Sequence, residues 1–535
     1  MDKVSEAHIF RYNEDASVNT LDPAYIKSQS EIWIGSQIFE GLVTLDSNLK
    51  VIPQIAKNWE IDTTGTVYKF YLKDDIYFHN RINKSYKLTA YDAAASLLRI
   101  LNPYTASPGA WILNDKITPN KKFTGKLLNY YNYSIDKTSP ILAVDSFTLI
   151  IRLNKPSPSF LSLLATNYGF ILPKKYCSSG LAEYLYGTGP FYLKRWERDV
   201  ALVLRKNNAY HEFDDDGIRL PYLDAVHVSF VKNKQTAFMQ FMAEEYDFFN
   251  GIDASFKDEL LTKSGKLQEN YSNQLGYRIT DFLNTEYIGI NLIENIAGVP
   301  NPLTDVYLRK ALHFSVDKVA MVKYFRNGLG RAGLNGFVPP KLLKDIVEKN
   351  TLNLDSAKYY LNKSKYFSKY QGFEIPLTTT ADYLDMAVYL QSSWKKLGIN
   401  IRIDLQTGGM LRQLRNQGKL FLFRGSWIAD YPDAENYLSC FYQPYEAPNG
   451  PNYTHFKNSK FDSLYKEIAF GVFNNDSLQD VRINLMIEAN DILKSEIPVI
   501  ELYYDKSLRM FQKNIENLNN DPINRLNLKR VKNLH

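Results

Sequence analysis

The side chains best suited to chemistry gather in one stretch, FLFRGSWIADYPDAENY, residues 421–437. An apolar run of Phe421, Leu422 and Phe423 breaks into Arg424, Gly425, Ser426 and Trp427. Three acids then follow, Asp430, Asp433 and Glu435, around Pro432. Such a set suits two chemistries. Paired carboxylates can act as general acid and base, but hydrolysis of that kind needs them flanking a bond at a defined separation, which neighbours on one turn seldom give. A single carboxylate that pairs with a ligand cation asks for less. A strand end carrying Gly, Trp and clustered charge is where loops meet ligands.

Other patterns carry less. Gly328-Leu-Gly-Arg-Ala-Gly333 fits G-x-G-x-x-G letter for letter. A dinucleotide site requires a strand before it and a helix after it. Here a helical pattern precedes and Asn335-Gly-Phe-Val-Pro-Pro340 follows, so a helix end and a loop are expected. The seven histidines are scattered, with no HExxH, and no serine sits in a GxSxG elbow. Cys177 and Cys440 are far apart and cannot build a structural zinc site in the usual way. One disulfide can be drawn between them, but two buried thiols fit better. No metal and no cofactor is expected.

The chain that must position these residues has 535 residues, 45% of them apolar, enough for several domains and a large core. Lys and Arg number 64 against 58 Asp and Glu, for a net charge of +6 with the signs interspersed. Without a basic block or basic aromatic platform, nucleic acid is excluded as a partner. No apolar run is long enough to span a bilayer, and the first residues, MDKVSEAHIFRYNEDAS, are polar and carry no leader pattern.

Strands and helices alternate along the chain, which argues for mixed α/β architecture. Alternating runs predict strands over 7–12, 67–73, 146–153, 200–205, 225–231, 284–292, 398–405 and 498–504. Helical spacing is read over 30–42 with Gly41 closing it, and over 89–101 with Thr89 and Asp92 at capping-box spacing. Further helices are read over 234–245, 305–316, 318–325, 383–397, 410–417, 461–469 and 478–493. Residues 103–140, rich in Asn, Tyr and Lys, read as a surface excursion. No repeat and no linker-like segment interrupts the chain.

Separate pieces then line up in order with one family. They are Leu21-Asp-Pro23; Gln37-Ile-Phe-Glu-Gly-Leu42; Pro53-Gln-Ile-Ala-Lys-Asn-Trp59; Tyr68-Lys-Phe-Tyr-Leu-Lys73 with Phe78-His79; Leu88-Thr-Ala-Tyr-Asp92; Gly187-Thr-Gly-Pro-Phe191; Leu308-Arg-Lys-Ala-Leu312 with Val316-Asp-Lys318; Leu397-Gly-Ile-Asn400; and the 421–437 stretch. The ordered set resembles the family 5 extracellular solute-binding proteins, the peptide, dipeptide and nickel receptors of bacterial ABC importers.

The resemblance implies an α/β fold of the periplasmic-binding-protein kind, a two-lobed clamp with an extra inserted domain and a two-segment hinge. By that likeness residues 1–46, 173–279 and 496–535 form lobe one, 47–172 the insertion and 280–495 lobe two. It implies no catalysis. It implies a receptor outside the cytoplasm, periplasmic or at the cell surface, monomeric, with a short peptide as ligand and the permease subunits of an ABC importer as partner. Membrane contact would come only through a lipid anchor, on a segment outside this chain. A non-peptide solute such as a nickel chelate or an oligosaccharide is the alternative cargo.

In the oligopeptide branch a Trp-x-x-Asp at a strand end places its carboxylate on the ligand α-ammonium, and Trp427-Ile-Ala-Asp430 matches. Arg424 matches an Arg that can meet the peptide carboxylate. Backbone groups of Gly425, Ser426, Trp427 and Ile428 would pair with an extended ligand. Glu31, Ile32 and Trp33 align with a segment touching the ligand from the other lobe. Ser426 departs from a common Gly at its position.

Overall fold

The computed structural model describes residues 8–80, 86–114, 116–117, 130–179, 185–251, 256–343, 352–370, 372–473, 476–519 and 521–535. The chain divides into two compact units. Unit one comprises Met1–Asp253, Glu269–Thr280 and Ser507–His535; unit two comprises Ala254–Gln268 and Asp281–Lys506.

In unit one the main sheet takes its strands in the order Phe191–Glu197, Ala201–Lys206, Ala225–Ser229, Ile9–Asn13, Phe248–Asn250, and Phe248–Asn250 pairs with Arg509 to Phe511. Ile9–Asn13 runs parallel to both neighbours. Parallel neighbours demand long crossovers, which is why strands adjacent in space lie more than 200 positions apart in sequence. A second, four-stranded antiparallel sheet is ordered Ala56–Ile61, Val67–Leu72, Thr148–Arg152, Ile141–Ala143. Val67–Leu72 buries every second residue, as its alternation requires. Against this sheet packs the helix Ala90–Leu101. Its start is fixed by the Asp92 carboxylate, which accepts from both Thr89 N–H (2.9 Å) and Thr89 Oγ1–H (2.6 Å).

Two expectations in unit one are corrected. The first helix spans Gln29–Ile38 and stops before Gly41. Gly41 bridges to Phe170, and a Cβ there would come within 3.2 Å of the carbonyl oxygens of Gly169 and Leu164. Its smallness serves close backbone approach, not helix termination. The 103–140 stretch is no simple surface excursion: the helices Ala110–Asn114 and Tyr130–Ser134 lie in it, and Leu113, Ile117 and Tyr133 are buried. Residues 118–129 lie outside the described residues.

In unit two the order is Val499 onward, Asp281 to Ile290, Leu422–Ile428, Ile375–Thr379, Ile401–Leu405. The two strands through which the chain passes between units are long, Leu275–Ile290 and Val499–Gln512, each extending well beyond the expected segment. Polar residues mid-strand, such as Thr280 and Asp281 in one and Asp505 and Lys506 in the other, break the alternation and hide the true length. The core gathers Leu308, Leu312, Leu377, Leu390, Trp394, Ile399, Leu422 and Ile500. Fully burying each aliphatic side chain contributes about 1.5–3 kcal/mol. Trp394 has its indole N–H satisfied by Leu312 O at 3.0 Å. The glycines 328–333 follow the helix Lys318–Phe325 as a loop into the short strand Arg331–Ala332. Both cysteines are free and buried.

Candidate ligand-binding site

The 421–437 stretch supplies a strand of unit two, Leu422–Ile428, then a turn and the helix Ala434–Leu438. Along one edge the strand pairs antiparallel with Asn284 to Ile290 over its whole length. Along the other it pairs in parallel with Ile375–Thr379, but only at Leu422 and Phe423. Among the described residues no strand pairs with that second edge from Arg424 to Ile428. Unpaired N–H and C=O groups on a strand edge are a template for another extended chain.

Gly425 is required by the opposite strand. A Cβ at this position would lie 2.4 Å from the Tyr287 ring. In the antiparallel register Thr285, Tyr287, Gly425 and Trp427 share one face of the sheet, and Glu286 and Ser426 share the other.

At the end of the open edge stands Asp430. Its position is set by Asn436, a fully buried residue that sequence reasoning missed. Asn436 Oδ1 accepts from Trp427 Nε1–H (2.9 Å) and from Asp430 N–H (3.3 Å), and its Nδ2 donates to Asp430 Oδ2 (3.2 Å). One amide thus orients both residues of the Trp-x-x-Asp pair. The only hint in sequence is that Asn436 lies one turn into a helix capped by Asp433. Water reaches the Asp430 side chain, yet the protein dense around it pushes its pKa up to about 6, against a downward pull from Asn436. Among the described residues no Lys or Arg forms an ion pair with it. An anion held in a protein-walled environment without a counter-charge is prepared for a cationic ligand group.

The other two acids are engaged elsewhere. Asp433 caps the following helix and forms a two-pronged pair with Arg482, at 2.8 and 3.1 Å. Glu435, 3% exposed, accepts from the hydroxyls of Tyr431 and Tyr465. The three carboxylates therefore do not converge on a common point, and the hydrolase arrangement is absent from this stretch.

Arg424 also has an internal partner. Its Nη2 donates to Glu286 at 2.6 Å, and its guanidinium lies 3.7 Å over the Tyr383 ring. Ser426 Oγ–H donates to Asn284 Oδ1 (2.8 Å), and Asn284 Nδ2 donates to Glu286 Oε1 (3.0 Å). Ser426 is thus tied into the network holding Glu286.

In unit one, Glu31, Ile32 and Trp33 sit in the Gln29–Ile38 helix. Glu31 completes a capping box with Ser28, and its carboxylate accepts from the backbone N–H groups of Asn19, Thr20, Lys27 and Ser28 at 3.1–3.3 Å. Burial pushes its pKa up, but the amides of Lys27, Ser28 and Asn19 outweigh it and hold it below the ordinary value. Trp33 donates to Asn524 O and packs on Tyr12 and Phe248. Both side chains hold the loop before the helix and the sheet strands that carry Tyr12 and Phe248. Ile32 is the one of the three that remains partly exposed.

The described residues bring one His/carboxylate group together, Glu40, His211 and Glu212. Glu40 accepts from Tyr210 Oη (2.7 Å) and Gln54 Nε2 (3.2 Å) and faces His211 Nε2 at 2.9 Å, while Glu212 pairs with Lys529 at 2.6 Å. With these partners it reads as an internal neutralising network rather than a metal centre.

An open strand edge ending at an acid without a cationic partner, on a mixed α/β fold, is a place where an extended ligand can be held. The chain belongs to the bacterial extracellular solute-binding proteins, family 5, whose model matches residues 50–449. Proteins of this family are non-catalytic receptors serving ABC import. Among its relatives are the probable deoxycholate-binding periplasmic protein YgiS of Escherichia coli, 26% identical over 94% of this chain and 89% of the relative. The periplasmic oligopeptide-binding protein OppA of Salmonella typhimurium is 24% identical over 93% and 87%. The fold is that of the periplasmic binding protein DppA from Helicobacter pylori, solved with the peptide STSA, at a TM-score of 0.76 and 21% identity over 99% of both chains. No helix among the described residues is long and apolar enough to cross a membrane.

Proposed function

We propose that this protein is an extracytoplasmic receptor that captures short peptides and hands them to an ABC importer. Asp430 meets the ligand α-ammonium. The open edge from Arg424 to Ile428 pairs with the ligand backbone as an added strand, with Trp427 beside the first residue. Because main-chain pairing ignores side-chain identity, such a site accepts many sequences of similar length. The observation that carries this reading is the adjacency of the unpaired edge to an acid without a cationic partner.

The relative that bears the name of a deoxycholate binder favours a second reading, in which the same site holds a non-peptide solute. A bile acid brings a carboxylate, which Asp430 would repel once ionised. That argues for a cargo with an amine. Nickel chelates and oligosaccharides are other cargoes of this second kind.

Mass spectrometry of what is released on denaturing freshly purified protein separates the two. A mixed set of short peptides with unblocked amino ends supports the first reading. A single compound without an amine would replace it with the second.

A further inference from the structure

The second end of the ligand follows from the charges around Arg424. Four ionisable side chains of unit two cluster there, two guanidiniums and two carboxylates. Arg424 is paired with Glu286 at 2.6 Å, and Arg326 is paired with Asp505. Two tyrosines lie over the guanidiniums, Tyr383 at 3.7 Å from Arg424 and Tyr503 at 5.5 Å from Arg326. Burial, then the neighbouring Glu286, push the Tyr383 hydroxyl up to about 12, so it stays neutral and adds no charge of its own. Each of the two pairs is therefore neutral.

Glu286 cannot easily be drawn off its partner. It is 5% exposed in its side chain, and its other oxygen is held by Asn284, which Ser426 in turn holds. Displacing it would leave a buried carboxylate without its cation, a costly exchange. The Nε of Arg424 is buried with no partner, so what remains within reach of a ligand is the partly exposed remainder of a guanidinium already neutralised by Glu286. Such a group suits a neutral carbonyl oxygen, whereas a carboxylate needs surplus charge.

We infer that Arg424, neutralised by Glu286, is not a clamp for a terminal carboxylate, and that this receptor takes peptides whose carboxyl end is blocked or continues into further chain as readily as free acids. Glu286 is then the positioning residue that sets this tolerance, and Ser426 supports it through Asn284. The inference rests on the peptide reading above and extends it to the class of peptide. It makes the ammonium end the recognised terminus.

The test uses full-length native protein and mixed-sequence tri-, tetra- and pentapeptides in three equimolar forms: free acids, C-terminal amides and N-acetylated acids. The bound fraction is read by mass spectrometry after washing and denaturation. Acids and amides retained within about twofold of each other support the inference, and acids enriched about tenfold or more overturn it. In Glu286→Gln, Arg424 regains a net charge, and acids should become enriched over amides by about tenfold. A merely structural role for Glu286 would weaken both forms together and leave the ratio unmoved, which also overturns the inference. Glu286→Asp keeps the charge and should restore the wild-type ratio. Retention of N-acetylated peptides equal to that of free amines would instead sink the ammonium reading, while the acid-to-amide ratio still reports on Arg424. If no peptide form is retained, both fall.

Discussion

Asp430→Asn should weaken ligand binding and strengthen the unliganded fold at the same time. Asn keeps the shape and removes the charge, so the ligand ammonium loses its counter-ion. Truncating one partner of a hydrogen-bonded charge pair costs about 2–5 kcal/mol, and water access to Asp430 places this case near about 2 kcal/mol. That corresponds to roughly a 30-fold rise in Kd. In the empty protein the balance reverses. Surrounding protein raises the Asp430 pKa from 3.8 to about 6, with Asn436 pulling it down. A folded-state pKa above the unfolded one means that the ionised group destabilises the fold. The penalty is absent below 3.8, grows between there and about 6, and is complete above that. A shift of this size would be about 3 kcal/mol unscreened, and solvent access reduces it to about 1 kcal/mol. Scanning calorimetry at pH 7.5 should therefore show Asp430→Asn melting slightly higher than wild type, by at most about 2–4 °C. Titration calorimetry with an unblocked tetrapeptide should show the affinity loss. It should also show wild-type affinity falling as pH drops through about 6, and no such fall in the variant. Equal affinity of the two proteins at pH 7.5, or a wild-type affinity flat from pH 7.5 to 5, would refute the reasoning.

Four further outcomes follow. Asn436→Ala should cost about 1–3 kcal/mol of stability through the donors it orphans, and about tenfold in peptide affinity, because Trp427 and Asp430 lose their common anchor; melting and titration calorimetry read the two. Gly425→Ala should push the strand off the Tyr287 ring at a cost of about 1–3 kcal/mol and weaken every peptide alike, measured against a panel of sequences. Arg482→Ala should leave the largely enclosed Asp433 carboxylate without its cation, though still capping Glu435 N–H, and cost about 3 kcal/mol of stability, with peptide affinity at low temperature unchanged; denaturant melts and titration check both. Acid should destabilise unit one in two windows, followed by circular dichroism. Burial, with His211 adding to it, lowers His79 from 6.5 to about 4, so the unfolded chain takes up the proton first and stability falls as pH drops from 6.5 towards 4. Glu40 is held at about 2 by partners that outweigh its burial, chiefly the charge of His211, so its contribution is complete above 4.5 and lost between 4.5 and about 2.

How far the residues alone reveal this molecule depends on the range of the interaction involved. Strand alternation at Val67–Leu72 and the cap at Thr89 and Asp92 are local, and local patterns read directly. Trp427-Ile-Ala-Asp430 is also a local signature, and its residues do stand together at one strand end. Its anchor Asn436 acts through space after a turn, and beyond its place behind the Asp433 cap an isolated Asn in an Asn-rich chain carries no signal. The open edge depends on how far Ile375–Thr379 runs along Leu422–Ile428, a register between segments more than 40 residues apart. Glu31 carries two local readings at once. Aligned by position with a ligand-facing segment, it proves to be the third residue of a capping box whose Ser28 was equally visible. The partner of Arg424, Glu286, lies 138 residues away, so their pairing carries no local signal.

The central claim, that Asp430 grips the peptide ammonium, is tested most directly by a double cycle in titration calorimetry. Wild type and Asp430→Asn are each titrated with one unblocked tetrapeptide and with its N-acetyl form at pH 7.5. The account predicts that acetylation costs wild type roughly 30-fold and the variant little, a coupling of about 2 kcal/mol. A coupling near zero, with acetylation equally costly in both proteins or in neither, would contradict it.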